Sequence, residues 1–169
     1  MYWSKAILYK KIHSMITIPL VLLNLQDDGF HLLVEVVVFN KTFKAVLDTG
    51  ASKTVFDKTT VESYLENQQL QISDRVSTGL GTTNMESFTW QVPQIEIGGF
   101  QLNNFEVAVL DLSSINYAYE NLSIEPIIGV IGGDILTSYR GVIDYGKKTL
   151  TLKQKRRASQ QAFSNFNQT

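Results

Sequence analysis

Between Phe30 and Phe39 the chain sets Leu32, Val34, Val36 and Val38 at alternate positions, with Glu35 the single charge on the other face. A period of two commits this segment to a strand with one buried face, because a helix would scatter the same side chains around its circumference. Ile16 to Leu25 is a similar apolar run, and the Asp27, Asp28, Gly29 cluster between the two is a turn signal, so they are predicted to form a hairpin. A turn at Asn40 and Lys41 leads into a short strand from Phe43 to Leu47, which stops at Asp48. From Val76 onward, turn signals recur at Gly79 and Gly81, at Pro93, and at Gly98 and Gly99, while Ile95, Ile97, Phe105, Val107 and Val109 alternate between them. Gly141 to Tyr145 and Thr149 to Leu152 complete the pattern as two strands around a Gly146 turn. One short helix is predicted where Thr59, Thr60, Val61 and Glu62 fit a capping box ahead of Tyr64 and Leu65, and another from Asp134 through Tyr139. The pattern is that of an all-β domain with one or two short helices.

Composition narrows the chemistry. A length of 169 residues with 44% apolar content suits one domain with a packed core. Residues 15–153 are expected to form it, after an N-terminal extension of residues 1–14 and before a disordered polar and basic tail of residues 154–169. A formal net charge of -1 leaves no broad basic surface for a phosphate backbone, so no nucleic-acid partner is expected. The cluster Lys153, Lys155, Arg156 and Arg157 is read as a solvated end, with a membrane-surface or nucleic-acid adaptor as the alternative. With no cysteine there is no disulfide framework, thiol nucleophile or thiolate metal site. His13 and His31 both flank apolar segments and read as ordinary structural or surface residues, which argues against a zinc site and against Ser/His/Asp catalysis. The apolar run from Met15 is broken at Asn24 and followed by Gln26, Asp27 and Asp28, too short for a membrane span and without a small-residue cleavage site. A cytoplasmic location is the resulting expectation, and the sequons at Asn40, Asn121 and Asn167 are then chance matches.

The segment that carries chemistry is Ala45 to Val55, AVLDTGASKTV. An acidic residue directly after an apolar strand, followed by a small hydroxyl residue and glycine, puts a carboxylate on a tight turn where backbone amides can face it. Asp, Thr and Gly are also ordinary turn formers, but a chance match to this pattern in a chain of such length is on the order of 1%.

Val46, Leu47, Asp48, Thr49, Gly50 and Ala51 resemble the active-site motif of the aspartic proteases. A second element strengthens the resemblance: Val130, Ile131 and Gly132, followed by Gly133, Asp134, Ile135 and Leu136, look like the family's hydrophobic-hydrophobic-glycine motif, which packs behind the active-site loop and leads into a helix. The closing stretch Arg140 to Leu152 is similar to the ending of bacterial retropepsin-like domains. The resemblance implies a closed β-barrel-like domain of the retropepsin type. It also implies a glycine-rich flap over the substrate, best matched by Thr78, Gly79, Leu80, Gly81 and Thr82; Gly98 and Gly99 are the rival, in a setting that suits an ordinary hairpin turn better.

Aspartic protease chemistry uses two carboxylates, one ionised to draw a proton from water and one protonated to polarise the scissile carbonyl. The chain holds one such motif; Asp111, Asp134 and Asp144 lack the Thr-Gly sequel. The resemblance therefore implies a homodimer in which two copies of Asp48 meet across a two-fold axis, with Thr49 bonding to the partner loop, Gly50 letting the backbone turn, and Ala51 and Ser52 lining the cleft floor. The substrate would be a peptide or protein, and neither cofactor nor metal is expected. The alternative is a catalytically silent retropepsin-like module that binds peptides or dimerises.

Overall fold

The computed structural model describes residues 15–25, 29–65, 70–72, 77–79, 82–85 and 87–154. The first half comprises strands Met15–Pro19 (β1), Val21–Asn24 (β2), Phe30–Val38 (β3), Lys41–Leu47 (β4) and Val55–Asp57 (β5), helix Lys58–Tyr64 (α1), and strands Gln71–Ile72 (β6), Ser77–Gly79 (β7) and Thr82–Met85 (β8). The second half comprises strands Phe88–Ile97 (β9) and Phe100–Leu110 (β10), helix Ser113–Asn121 (α2), strand Gly129–Ile131 (β11), helix Gly133–Ser138 (α3), and strands Val142–Asp144 (β12) and Thr149–Lys153 (β13).

The alternation in β3 does what its period requires. Leu32, Val34, Val36 and Val38 are buried and Glu35 is exposed. The run from β3 continues through β4, β11, β5, β10 and β9, and β9 returns to pair with β3 at Val36↔Ile97 and Val37↔Glu96, which closes the sheet into a barrel. Closure removes the open edges that a flat sheet would expose. Inside lie Val36, Phe56, Ile95, Ile97, Phe100 and Ile131, all fully buried. β2 extends the sheet beyond β3, and β6 pairs with β9.

The first apolar run does not form one arm of a hairpin. β2 pairs with β3 as expected, but β1 leaves for a separate sheet in the order β1-β13-β12. Pro19 has no N–H to give a continuing ladder, and at the break the buried Leu20 donates its N–H to the Lys148 carbonyl (2.8 Å). This strand switch carries Ile18 onto Leu150 and Leu152, which join the barrel core.

Two tight turns hold the long hairpins. Gly98 and Gly99 have φ of 51° and 87°, the paired left-handed conformation of a two-residue hairpin connection, and they join β9 to β10. Phe39 and Asn40 take the same hand (φ 55° and 56°) between β3 and β4. For a phenylalanine this costs on the order of 1 kcal/mol, offset by its ring stacking between Tyr64 (4.7 Å) and Trp90 (5.0 Å).

The helices differ from expectation in start and number. α1 begins at Lys58 because Asp57, not Thr59, is its N-cap, accepting from the Thr60 N–H at 2.9 Å. α3 starts at Gly133, with Asp134 in its first turn instead of at the cap. α2 is a third helix that the sequence pattern does not announce. It seats Tyr119 against Leu33, Val46 and Ile127, a second apolar cluster on the outer side of β3 and β4. No helix among the described residues is long and apolar enough to cross a membrane.

Candidate active site

Asp48 follows the last residue of β4. Beside it β11 runs parallel, Val46 opposite Val130 and Leu47 opposite Ile131, and the Asp48 N–H donates to the Ile131 carbonyl (3.1 Å). The strand pair thus delivers the carboxylate to the point where the backbone leaves the barrel. There the chain bends, and the Gly50 N–H donates to Asp48 Oδ1 at 2.8 Å, so one carboxylate oxygen is already oriented by the turn it opens. Asp48, Thr49, Gly50, Ser52 and Lys53 are exposed and Ala51 is half-buried.

The far end of the loop is held as firmly as its start. The Gly133 N–H donates to the Ala51 carbonyl (2.7 Å), and the chain re-enters the core at Thr54, which is fully buried. Thr54 gives both its N–H (2.9 Å) and its hydroxyl (2.7 Å) to the carboxylate of Asp134, while its Oγ1 accepts from the Gly132 N–H (3.1 Å). Gly132 sits so close to this crossing that a Cβ there would lie 2.4 Å from the Lys53 carbonyl oxygen, so only glycine fits. Ile131 and Gly132 therefore lie against the two ends of the segment Asp48 to Thr54, while Val130 pairs with Val46 and Val55 on either side of it. Thr54 and Asp134 were not legible as partners, since eighty positions separate them and each looks like an ordinary turn or cap residue.

The remaining sequence-derived residues fall as follows. Gly79 ends β7, which pairs antiparallel with β8 through Gly79↔Thr82 and Ser77↔Met85 in a two-stranded sheet of its own. Leu80 and Gly81, together with His13, the first eleven residues and the tail from Lys155, lie outside the described residues. His31 is bonded through Nδ1 to the hydroxyl of Tyr119, a structural role that ties β3 to α2. Asp111 and Asp144 are surface turn acids. Hydrogen bonds from Ser113 hold Asp111 below the ordinary carboxylate range, and the Lys147 N–H does the same for Asp144. Asp111 stands beside the start of α2 and Asp144 at the end of β12, each away from the Asp48 loop in the chain's order of pairing.

A barrel closed by β3 and β9, with an Asp-Thr-Gly turn at the end of two parallel strands, is the retropepsin-like fold. The structure is similar to the retroviral protease-like domain of Ddi1 from Leishmania major at 20% identity and a TM-score of 0.52, over 72% of this chain and 87% of that one. It is similar also to a retropepsin-like aspartic protease from Rickettsia conorii at 20% identity and a TM-score of 0.50, over 86% of this chain and 96% of that one. No curated protein sequence matches the chain. The sequence profile described as aspartyl protease matches residues 34–135, from within β3 through the Asp48 loop and into α3, and the chain belongs to that family.

Proposed function

We propose that the chain is an aspartic endopeptidase whose working unit is a homodimer, with Asp48 of each copy contributing one half of the catalytic pair. The observation that carries this reading is the state of Asp48 in a single copy: a carboxylate that accepts the Gly50 N–H, on a backbone tied to Ile131, yet exposed on a loop whose two ends are fixed. Such a loop is shaped to meet something, and the chemistry asks for a second carboxylate. Two unit charges about 3 Å apart at an effective dielectric near 20 repel by roughly 5 kcal/mol, so the pair would hold one proton between them. The ionised member takes a proton from water, the protonated member polarises the peptide carbonyl, and the water oxygen bonds to the carbonyl carbon without a covalent enzyme intermediate. Thr49 would bond across to the partner loop, Ala51 and Ser52 would line the floor beneath an extended substrate, and Gly79, Leu80 and Gly81 would form the flap. The antiparallel pairing of β7 with β8 supports that last assignment, as does the rigid turn geometry at Gly98 and Gly99, which suits a fixed connection.

The test is assembly-dependent hydrolysis. Specific activity on an unfolded protein substrate is expected to fall on dilution through the dimer dissociation constant. Co-refolding with excess Asp48→Asn chains is expected to poison the active ones, and Asp48→Asn alone to lose about 10²–10⁴-fold or more in rate with its melting temperature preserved. Unchanged specific activity from a chain shown to be monomeric in the assay would overturn the paired mechanism. A wild-type chain that binds extended peptides without cleaving them would move the reading to a silent peptide-binding module.

A further inference from the structure

Several ties fasten the segment Asp48 to Thr54 to the rest of the fold, among them the Ala108 N–H on the Thr54 carbonyl (3.0 Å). That bond, like those from Asp48 to Ile131 and from Gly133 to Ala51, is backbone to backbone and survives any side-chain change. The tie made by side chains depends on one carboxylate. Asp134 accepts the Thr54 N–H and the Thr54 hydroxyl, and its Oδ1 also takes the Ile135 N–H at 2.8 Å. Because the Thr54 hydroxyl proton is drawn toward Asp134, a lone pair of the same oxygen is left for the Gly132 N–H. The chain of donors runs from Gly132 through Thr54 to Asp134, and it sets the spacing between the end of β11 and the end of the active-site loop where no Cβ could fit.

We propose that Asp134 is a positioning residue for Asp48, acting through Thr54, and that its carboxylate fixes the height and angle at which the loop presents the catalytic side chain. The inference rests on the protease reading for its kinetic consequence, but its geometric content does not. An uncharged helix-starting residue would serve α3 as well; what α3 does not require is a carboxylate whose two oxygens both reach a threonine on the other side of the crossing. Asparagine at this position keeps the volume but can accept through only one oxygen. Whichever way the amide is turned its NH2 group faces a donor, the Thr54 N–H on one side or the Thr54 hydroxyl and the Ile135 N–H on the other, so part of the Thr54 clamp is lost.

The experiment begins with wild type and Asp48→Asn in a fluorogenic peptide assay, so that failure of the protease reading shows before any Asp134 variant is assayed. Asp134→Asn is then expected to lower kcat by about ten- to a hundredfold with KM changed by less than about threefold, as for a small displacement of a reacting group. Thr54→Val is expected to reproduce that loss and Thr54→Ser to restore most of it, and the Asp134→Asn/Thr54→Val double variant to lose no more than either single one. Independently of turnover, the amide proton of Gly50, which reports the bond to Asp48, is expected to shift in the Asp134→Asn spectrum while amides of β3 keep their positions. A kcat within twofold of wild type in folded Asp134→Asn, or failure of Thr54→Ser to restore what Thr54→Val loses, would overturn the proposal. So would an unmoved Gly50 amide, and this measurement decides the matter even for a chain without peptidase activity.

Discussion

A methyl group on Gly98 would stand 2.2 Å from Ile18 Cγ2, and one on Gly132 would stand 2.4 Å from the Lys53 carbonyl oxygen. The two clashes have different consequences. At Gly98 the neighbour is a side chain in the barrel core, far along the chain from the loop, and the left-handed backbone adds its own cost for any residue with a Cβ. Gly98→Ala is expected to lower stability by about 1–3 kcal/mol in urea titration and to leave turnover per folded chain intact. At Gly132 the neighbour is backbone of Lys53 and Thr54 at the end of the Asp48 loop, so Gly132→Ala is expected to lower stability by a similar amount and, on the proposed function, turnover with it. At this scale the sequence was most informative where chemistry is local. Asp48, Thr49 and Gly50 are contiguous, and the bond from Gly50 to Asp48 spans two positions. The pairing of Thr54 with Asp134 was hidden because nothing nearby in the chain distinguishes a threonine that starts a buried strand from any other.

Among the elements, α2 was the least legible. Tyr119 is its single buried residue, so no apolar stripe marks it, and what holds it in place lies elsewhere in the chain. Asn116 clamps the backbone of Ile127, donating from Nδ2 to the carbonyl (3.2 Å) and accepting the N–H at Oδ1 (2.9 Å), and Tyr119 reaches His31 on β3. These contacts cover Leu33 and Val46, which explains why Leu33 is buried although it lies on the face of β3 that its alternation assigns to solvent. Asn116→Ala is expected to cost about 1–3 kcal/mol by leaving the Ile127 groups unpaired, read as a lowered denaturation midpoint. Tyr119 adds a pH signature. Burial raises its hydroxyl above the ordinary tyrosine value, so the folded chain keeps a proton that the unfolded chain loses. The stabilisation is therefore complete below about pH 10 and is lost as pH rises further, a slope that Tyr119→Phe is expected to flatten. The start of α1 was misplaced for a related reason. Asp57 outcompetes Thr59 as the cap because its other oxygen accepts the Leu112 N–H (3.1 Å), a partner fifty-five positions away.

At the scale of the whole molecule, the pairings that complete the architecture join distant parts of the chain. β3 closes on β9, and β1 lies along β13 with Ile18 opposite Leu150. Such connections must await the ordering of the chain between them, which places folding in the slower range typical of closed β topologies, about milliseconds to seconds. The longer strands and the Gly98–Gly99 turn were readable from residue pattern, but Pro93, read as a turn signal, lies within β9, and the short β5 and β11 were not read as strands. The partition of the first run between two sheets was decided by Pro19 and by a carbonyl from Lys148, which no local pattern announces.

The pairing of β1 with β13 sets Met15 opposite Lys153, so the polypeptide enters and leaves the domain at neighbouring points of one sheet. Adjacent strands lie only about 5 Å apart, and a few residues of glycine and serine would span that gap. The backbone is then a loop with a seam, and the seam can be moved. A circular permutant that links Lys153 to Met15 and takes new termini between Gly146 and Lys147, in an exposed turn, is expected to recover the barrel and its unfolding cooperativity. Loss of cooperative unfolding in that permutant would mean that the order in which the strands are laid down, and not their final neighbours, determines the fold.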